Sequence, residues 1–297
     1  YNSSEHSVNC IRSVIEKTSK NLHYQIIITD NCSEKEDYLK LKSFCDEINF
    51  PNLELHRNNI NSGFGGGNMF GVQFANAKYL AFLNNDTLLK NDCLTILKNT
   101  LETNPNIGIA GAQAYKENGD FMISLDHFAS PAREIIGRSF LEKINPKKYP
   151  NRKKKYANPI QTNFVPGSFM FLRSTDFYEV GGFDTNLFLY YEETDLCIRL
   201  AKKSKLAYLI PEAEFIHFHG VSIGKSLAVK KELKISLLYI MKKHYGYFGH
   251  KAVLGFLIIK YFFSSILKPL NWSLFFLILT GAPLSKSLKT QQKIVNL

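Results

Sequence analysis

The chain has 297 residues, 45% of them hydrophobic and 21% charged, with 37 basic and 26 acidic side chains. This composition excludes wholesale disorder, and with no fixed-period repeat it excludes solenoid and collagen-like architectures. The net charge of +11 is unevenly placed: residues 1–224 balance at 25 basic and 25 acidic, whereas residues 225–297 carry twelve lysines against Glu232, unlike a uniformly basic nucleic-acid binder.

Residues 24–29 (YQIIIT) form a short Ile-rich run ending in a polar loop at Asp30, which predicts a buried strand. Residues 35–48 have helical spacing, and residues 53–56 read as a second strand. An Asn- and Gly-rich loop at 58–67 leads into a predicted helix over 68–77. Residues 79–83 (YLAFL) predict a third strand, 92–103 a helix and 107–110 a fourth strand. Strands alternating with helices imply βαβ units and a mainly parallel sheet covered on both faces. Ligands of such sheets bind outside the carboxyl ends of the strands, where Asp30 and Asp86 stand.

Residues 113–160 are irregular and polar, with a basic stretch at 152–155 that reads first as a solvated loop and second as a contact for a phosphate-bearing acceptor. Further strands are predicted at 168–172 and 214–218, with a helix over 193–203. Residues 227–245 are amphipathic. Two apolar stretches follow, 252–267 and 270–284, each short of the ~20 residues that span a bilayer. With lysines at 251, 268, 286 and 289, they read as a helical pair in a membrane interface or, failing that, as core or dimer-interface helices. The five cysteines, Cys10, Cys32, Cys45, Cys93 and Cys197, include no C-x-x-C pair, which favours a reducing compartment.

Four patterns could carry chemistry. The glycine loop at 61–68 allows close backbone approach to a phosphate or sugar, but is neither a dinucleotide fingerprint nor a Walker loop. Asn84-Asn85-Asp86 puts a carboxylate where a phosphate-bound cation could sit, or is simply a turn. Glu192, Glu193 and Asp195 crowd three carboxylates into four positions, which suits a base, a cation site or a helix start. Asp195 and Arg199 can pair across one helical turn. His217 and His219 share one face of a strand and could bind metal or phosphate.

In order, the chain shows D-N-x-S at 30–33, N-x-G-F-x-G-G-N at 61–68, L-N-x-D at 83–86, P-G-S-F-M at 166–170, G-G-F-D at 181–184, F-x-Y-x-E-E-x-D-L-x-x-R at 188–199 and H-x-H-G-x-S at 217–222. Together these resemble the family 2 glycosyltransferases, nearest the rhamnosyltransferase-like branch that builds bacterial surface polysaccharides, over residues 1 to about 245. The resemblance implies a GT-A fold, Rossmann-like with a mixed, mainly parallel sheet flanked by helices. The domains are then a catalytic unit at 1–224 and a basic, apolar, membrane-associating helical extension at 225–297.

It also implies roles. Asp30 matches the acid that reads the nucleobase, Asn61, Gly63 and Asn68 the loop near the nucleotide sugar, and Asn84 and Asp86 the ends of the D-x-D motif. Asp86 and His217 would hold Mg²⁺ or Mn²⁺. Glu193 matches the catalytic base, where the family more often has Asp, with Glu192 as fallback. Gly167, Asp195 and Arg199 would serve the acceptor side. The implied activity is inverting transfer of a sugar, rhamnose by branch, from a nucleotide diphosphate donor to a glycan or polyprenyl-linked acceptor at the cytoplasmic face of the membrane, with no nucleic-acid partner. A nucleotidyltransferase and a non-catalytic membrane-associated relative are the alternatives. Family members open with an apolar strand before the turn matched by Tyr1-Asn2-Ser3, so the reading expects that strand to be missing and the sheet open to water.

Overall fold

The computed structural model describes residues 1–218 and 226–295. In chain order the elements are α1 (Ser4–Lys17), β1 (Ile26–Asp30), α2 (Lys35–Glu47), β2 (Leu53–Arg57), α3 (Gly63–Gly71), β3 (Tyr79–Leu83), β4 (Thr87–Leu89), α4 (Cys93–Thr103) and β5 (Ile107–Tyr115). There follow α5 (Pro131–Ile135), α6 (Arg138–Ile144), β6 (Ile160–Thr162), β7 (Phe169–Arg173), α7 (Ser174–Glu179), α8 (Glu192–Ala201), β8 (Leu206–His217), α9 (Leu227–Leu267) and α10 (Trp272–Leu279).

The main sheet runs β3-β7-β5-β8-β4, with β6 also on β8. Only β5–β8 is parallel in it; β3–β7, β5–β7, β4–β8 and β6–β8 are antiparallel. The expectation of a mainly parallel sheet is therefore corrected to a mixed one. The alternation of strand and helix locates elements but not their direction. Here β7 returns from the long 116–168 excursion in the opposite sense and inserts between β3 and β5. β4 leaves β3 through a three-residue turn and crosses to the far edge.

All nine residues of β5 are buried, as expected for a central strand covered on both faces. The period-two alternation of β7 feeds two cores. Phe169 and Phe171 join Leu97, Leu101 and Phe215 under α4, and Met170 and Leu172 join Phe177, Leu196 and Leu200 under α7 and α8. A third core binds α9 to α10 through Ile235, Leu238, Met241, Val253, Leu257 and Ile278.

β1 and β2 form a separate parallel pair. The facing sides of β1 and β3 flank two cavities, about 710 Å³ and 340 Å³, lined by Ile27, Thr29, Ala81 and Phe82 among others. Ile26, Ile27 and Ile28 are consequently only half-buried.

Helix α3 begins at Gly63, five residues before the predicted start. Glycine propensity argues against this, but packing decides. A Cβ on Gly63 would lie 2.1 Å from the Phe188 carbonyl oxygen and one on Gly71 2.5 Å from Thr29 Oγ1. Gly63 also takes φ +75°, which favours glycine. The 227–245 amphipathic helix and the 252–267 apolar stretch are both present, joined as α9 across a break at Gly246 (φ 64°, ψ −162°).

Candidate active site

The site is built where β1, β3 and β8 end. Asp30 closes β1, is 4% exposed, and accepts from Arg57 Nε at 3.1 Å and from the Ser33 amide at 3.2 Å. Arg57 stacks on Tyr38, 4.2 Å from its ring centre, so the acid is held rigidly from one side. Beside it, Asn31 organises the glycine loop. Its Nδ2 donates to Asn61 Oδ1 and the Gly63 carbonyl, both at 3.0 Å, while its Oδ1 accepts from the Ser62 amide and hydroxyl at 3.1 and 3.0 Å. Sequence alone assigns Asn31 no role, since an Asn next to a left-handed residue, here Cys32, is a weak signal by itself.

Asn61 Oδ1 also accepts from the Gly63 amide at 3.0 Å, and Asn68 Nδ2 donates to the Phe64 carbonyl at 2.9 Å. Asp30, Gly63, Asn68 and Asn84 all line the 340 Å³ cavity. The Asn84 amide donates to the Ser168 carbonyl at 3.0 Å. A Cβ on Gly167 would lie 3.3 Å from Phe64 Cζ, so the P-G-S-F-M segment packs directly on the glycine loop.

Asp86 immediately precedes β4, opposite the end of β8. The ladder sets Thr87 against His217, which brings His217 Nε2 to 3.3 Å from Asp86 Oδ1. Burial alone would raise the Asp86 carboxyl, but the hydrogen bond and charge of His217 outweigh it and hold the carboxyl below its ordinary value. One carboxylate and one imidazole fit part of a divalent-cation shell. Among the described residues no group of three such side chains occurs, so the remaining ligands would be diphosphate oxygens and water. His219, Gly220 and Ser222 lie outside the described residues.

The acid cluster starts α8. Tyr190 and Tyr191 adopt φ +73° and +71° in succession, a conformation that costs a bulky residue about 1–2 kcal/mol and is concentrated at functional sites. The turn aims Glu192 and Glu193 apart. Glu192 is 2% exposed and its Cγ is 3.5 Å from where a Gly65 Cβ would stand, so it lies under the glycine loop. Burial and the charge of Glu193 push its carboxyl well up, and its Oε1 has no hydrogen-bond partner among the described residues. Glu193 is half-buried. Burial pushes it up to about 6, with Asp126 adding to the rise, while a backbone N–H and Arg133 oppose it.

Asp195 and Arg199 pair as expected, Nε to Oδ2 at 2.8 Å. Arg199 also donates to the Val180 and Gly182 carbonyls, fixing the G-G-F-D turn to α8. Asp195 Oδ1 takes His244 at 2.7 Å and Lys243 at 2.6 Å. Burial opposes its ionisation, yet the hydrogen bond to His244 and the charges of Arg199 and Lys243 bring it down to about 2. Asp184 Oδ2 accepts from Tyr239 and Lys243, both at 2.7 Å. Lys243 and His244 were absent from the expected site because the sequence shows them only as the polar face of an amphipathic helix.

Comparison with known proteins supplies the family. Residues 1–181, more than half of the chain, match the model described as "Glycosyl transferase family 2". The chain belongs to that family. "Rhamnosyltransferase WbbL" of Escherichia coli K12 is 28% identical over 243 residues, covering 77% of this chain and 88% of that protein. An "N-acetylglucosaminyl-diphospho-decaprenol L-rhamnosyltransferase" of Mycobacterium tuberculosis is 33% identical over 86 residues, 28% of each chain. Among solved structures, mannosyltransferase PcManGT of Pyrobaculum calidifontis, in complex with GDP-Man and Mn²⁺, superposes with a TM-score of 0.57 at 11% identity, covering 96% of this chain and 84% of that one. GalNAc-T7 with UDP, GalNAc and Mn²⁺ gives 0.53 at 14% identity over 80% of this chain, which spans 45% of that larger protein. The fold is thus GT-A-like, and the family 2 chain is a glycosyltransferase of the kind used in polysaccharide-related biosynthesis.

Proposed function

We propose that this family 2 enzyme transfers a sugar, rhamnose, from a nucleotide diphosphate donor to a hydroxyl of a lipid-linked glycan, with inversion at the anomeric carbon. The observation that carries the reading is Glu193: a carboxylate raised to about 6 at the start of α8, within the span of a general base at neutral pH. The rhamnose assignment rests on two relatives named as rhamnosyltransferases.

In the proposed step Glu193 accepts the proton of the acceptor hydroxyl. The acceptor oxygen bonds to the anomeric carbon as the bond from that carbon to the diphosphate oxygen breaks, and the electron pair leaves with the nucleotide diphosphate. Asp30 would orient the base of the donor, and the Asn31-latched loop with Asn61, Gly63 and Asn68 would cradle its sugar and phosphates. Asp86 and His217 would hold Mg²⁺ or Mn²⁺, which when bound supplies charge to stabilise the departing diphosphate. Gly167, Asp195 and Arg199 would act through the elements they fix.

The membrane is proposed as the place of work. α9 contains a window of mean hydropathy 1.4, long and apolar enough to cross a membrane by length and composition, and 22% of it is buried. The break at Gly246 and the packing of α10 on α9 favour an interfacial helical pair over a span.

Glu193→Gln tests the reading. It should lower turnover by about 10²–10⁴-fold, the usual value of a positioned base. It should retain the thermal stabilisation by nucleotide diphosphate and Mn²⁺, with dTDP expected ahead of UDP and GDP. Turnover close to wild type would remove the base from Glu193.

A further inference from the structure

A group of charges beside Glu193 is not used by the donor chemistry. Arg138 and Arg152 are matched: Arg138 Nε bonds Asp126 Oδ1 at 2.8 Å, and Arg152 Nε bonds Glu142 Oε1 at 3.0 Å. Arg133 and Lys234 share one carboxylate, Glu134. Arg133, on α5, is 7% exposed. Its Nη1 donates to the His127 carbonyl at 2.9 Å. Its buried Nε forms an ion pair with Glu134 Oε1 at 3.2 Å, and neither atom has a hydrogen-bond partner among the described residues. Lys234, on α9, has no ion pair among the described residues. Its ammonium rests 5.6 Å from the Tyr261 ring centre, and burial pushes it below its ordinary value.

A cation taken out of water without a well-bonded anion is costly. Two cations on packed elements against the single Glu134 carboxylate leave an unbalanced positive charge, which points to an anion brought by a ligand. An Arg fork and a Lys point charge suit phosphate oxygens.

The surroundings say what carries the phosphate. Arg133 lies 5.9 Å from the Tyr191 ring and acts on the Glu193 carboxyl, so the anion would sit next to the proposed base. On the other side, Tyr261 leads directly into Phe263, Ile266 and Leu267, which are 62%, 58% and 83% exposed. One end of the group therefore faces the reaction and the other an open apolar surface.

We propose that Arg133 and Lys234 bind the phosphate or diphosphate of a lipid-borne acceptor, with its chain laid along the exposed face of α9. The inference rests on the transferase reading above and adds to it a binding site for the acceptor's head group.

The test uses the full chain with farnesyl diphosphate as probe, farnesol as the uncharged control, and vesicles containing phosphatidylglycerol as the competing source of phosphate. dTDP, UDP and GDP with Mn²⁺ are titrated into the same preparations. Farnesyl diphosphate should bind, farnesol should bind far more weakly, and Lys234→Gln should weaken the diphosphate by about tenfold or more. Lys234→Arg should retain most of the affinity, and Arg133→Gln should act in the same direction as Lys234→Gln if it folds. Nucleotide affinity should be unchanged in Lys234→Gln. Unchanged farnesyl diphosphate affinity in Lys234→Gln, with nucleotide binding intact, overturns the inference and leaves the transferase reading standing. So does a loss confined to vesicle binding, which would assign the cations to bilayer phospholipid. Failure of the wild-type chain to bind any of the nucleotides would instead sink the transferase reading.

Discussion

Glu192 and Glu193 are adjacent and alike but differently surrounded. Glu192 lies beneath the glycine loop with an oxygen that finds no donor among the described residues, while Glu193 faces Asp126 and Arg133. The consequence for stability follows from the sign of the Glu192 shift. Its native carboxyl keeps its proton well above the ordinary 4.5, so above that pH the native chain binds more protons than the unfolded chain. Stability therefore falls as pH rises through this window. Glu192→Gln removes the loss. Its Tm should exceed that of the wild type at pH 8, at about 2–4 °C per kcal/mol for a chain of this size, and the difference should close toward pH 4.5. A lower Tm at pH 8 would mean that Glu192 is ionised and bonded. The residues of this centre were legible because they sit in short local strings. Asn31 and Lys234 were not, because what distinguishes them is a partner brought from tens of residues away.

At the scale of elements, strands and helices could be located from apolar runs and turn residues, but direction could not. β7 reads as a strand in any register; only its return from the 116–168 excursion makes it antiparallel to both neighbours. α3 shows the reverse failure, with glycine content hiding a helix whose tight contacts require glycine. The slot between β1 and β3 carries a prediction. Tyr1 lines its 340 Å³ cavity together with Ile26, Ile28, Ala81 and Leu83, and both strands present backbone edges there. An alternating apolar segment of about six residues fused ahead of Tyr1 should enter the slot and raise Tm by several degrees, since burying one Val- or Ile-sized side chain contributes about 1.5–3 kcal/mol. A Pro-interrupted segment of the same composition should not. Equal Tm values for the two fusions would contradict this.

Across the whole molecule, the basic C-terminal segment is tied to the candidate site and is not a loose tail. Lys243 bridges Asp184 and Asp195, and His244 caps the same Asp195. Near the chain's end, Ser287 and the Leu288 amide bond the buried Glu232 at 2.7 and 2.8 Å. Deleting residues from 251 onward would uncover Ile235, Leu238 and Met241 and confuse membrane binding with unfolding. Polar substitution of the exposed Phe263, Ile266, Leu267 and Leu270 separates the two. It should reduce recovery with phosphatidylglycerol vesicles at least tenfold while leaving Tm and nucleotide binding close to wild type. Undiminished recovery would remove this face from the membrane account.

The central claim, that Glu193 is the base of a glycosyl transfer, is tested most directly by the pH dependence of turnover in the wild type and in Glu193→Gln. A base that ionises at about 6 must lose its proton before it can act. Wild-type turnover should rise about tenfold per pH unit below 6 and level off above it, and Glu193→Gln should be about 10²–10⁴-fold slower on the plateau, without that rise. A variant that matches the wild type in both rate and pH profile would contradict the claim.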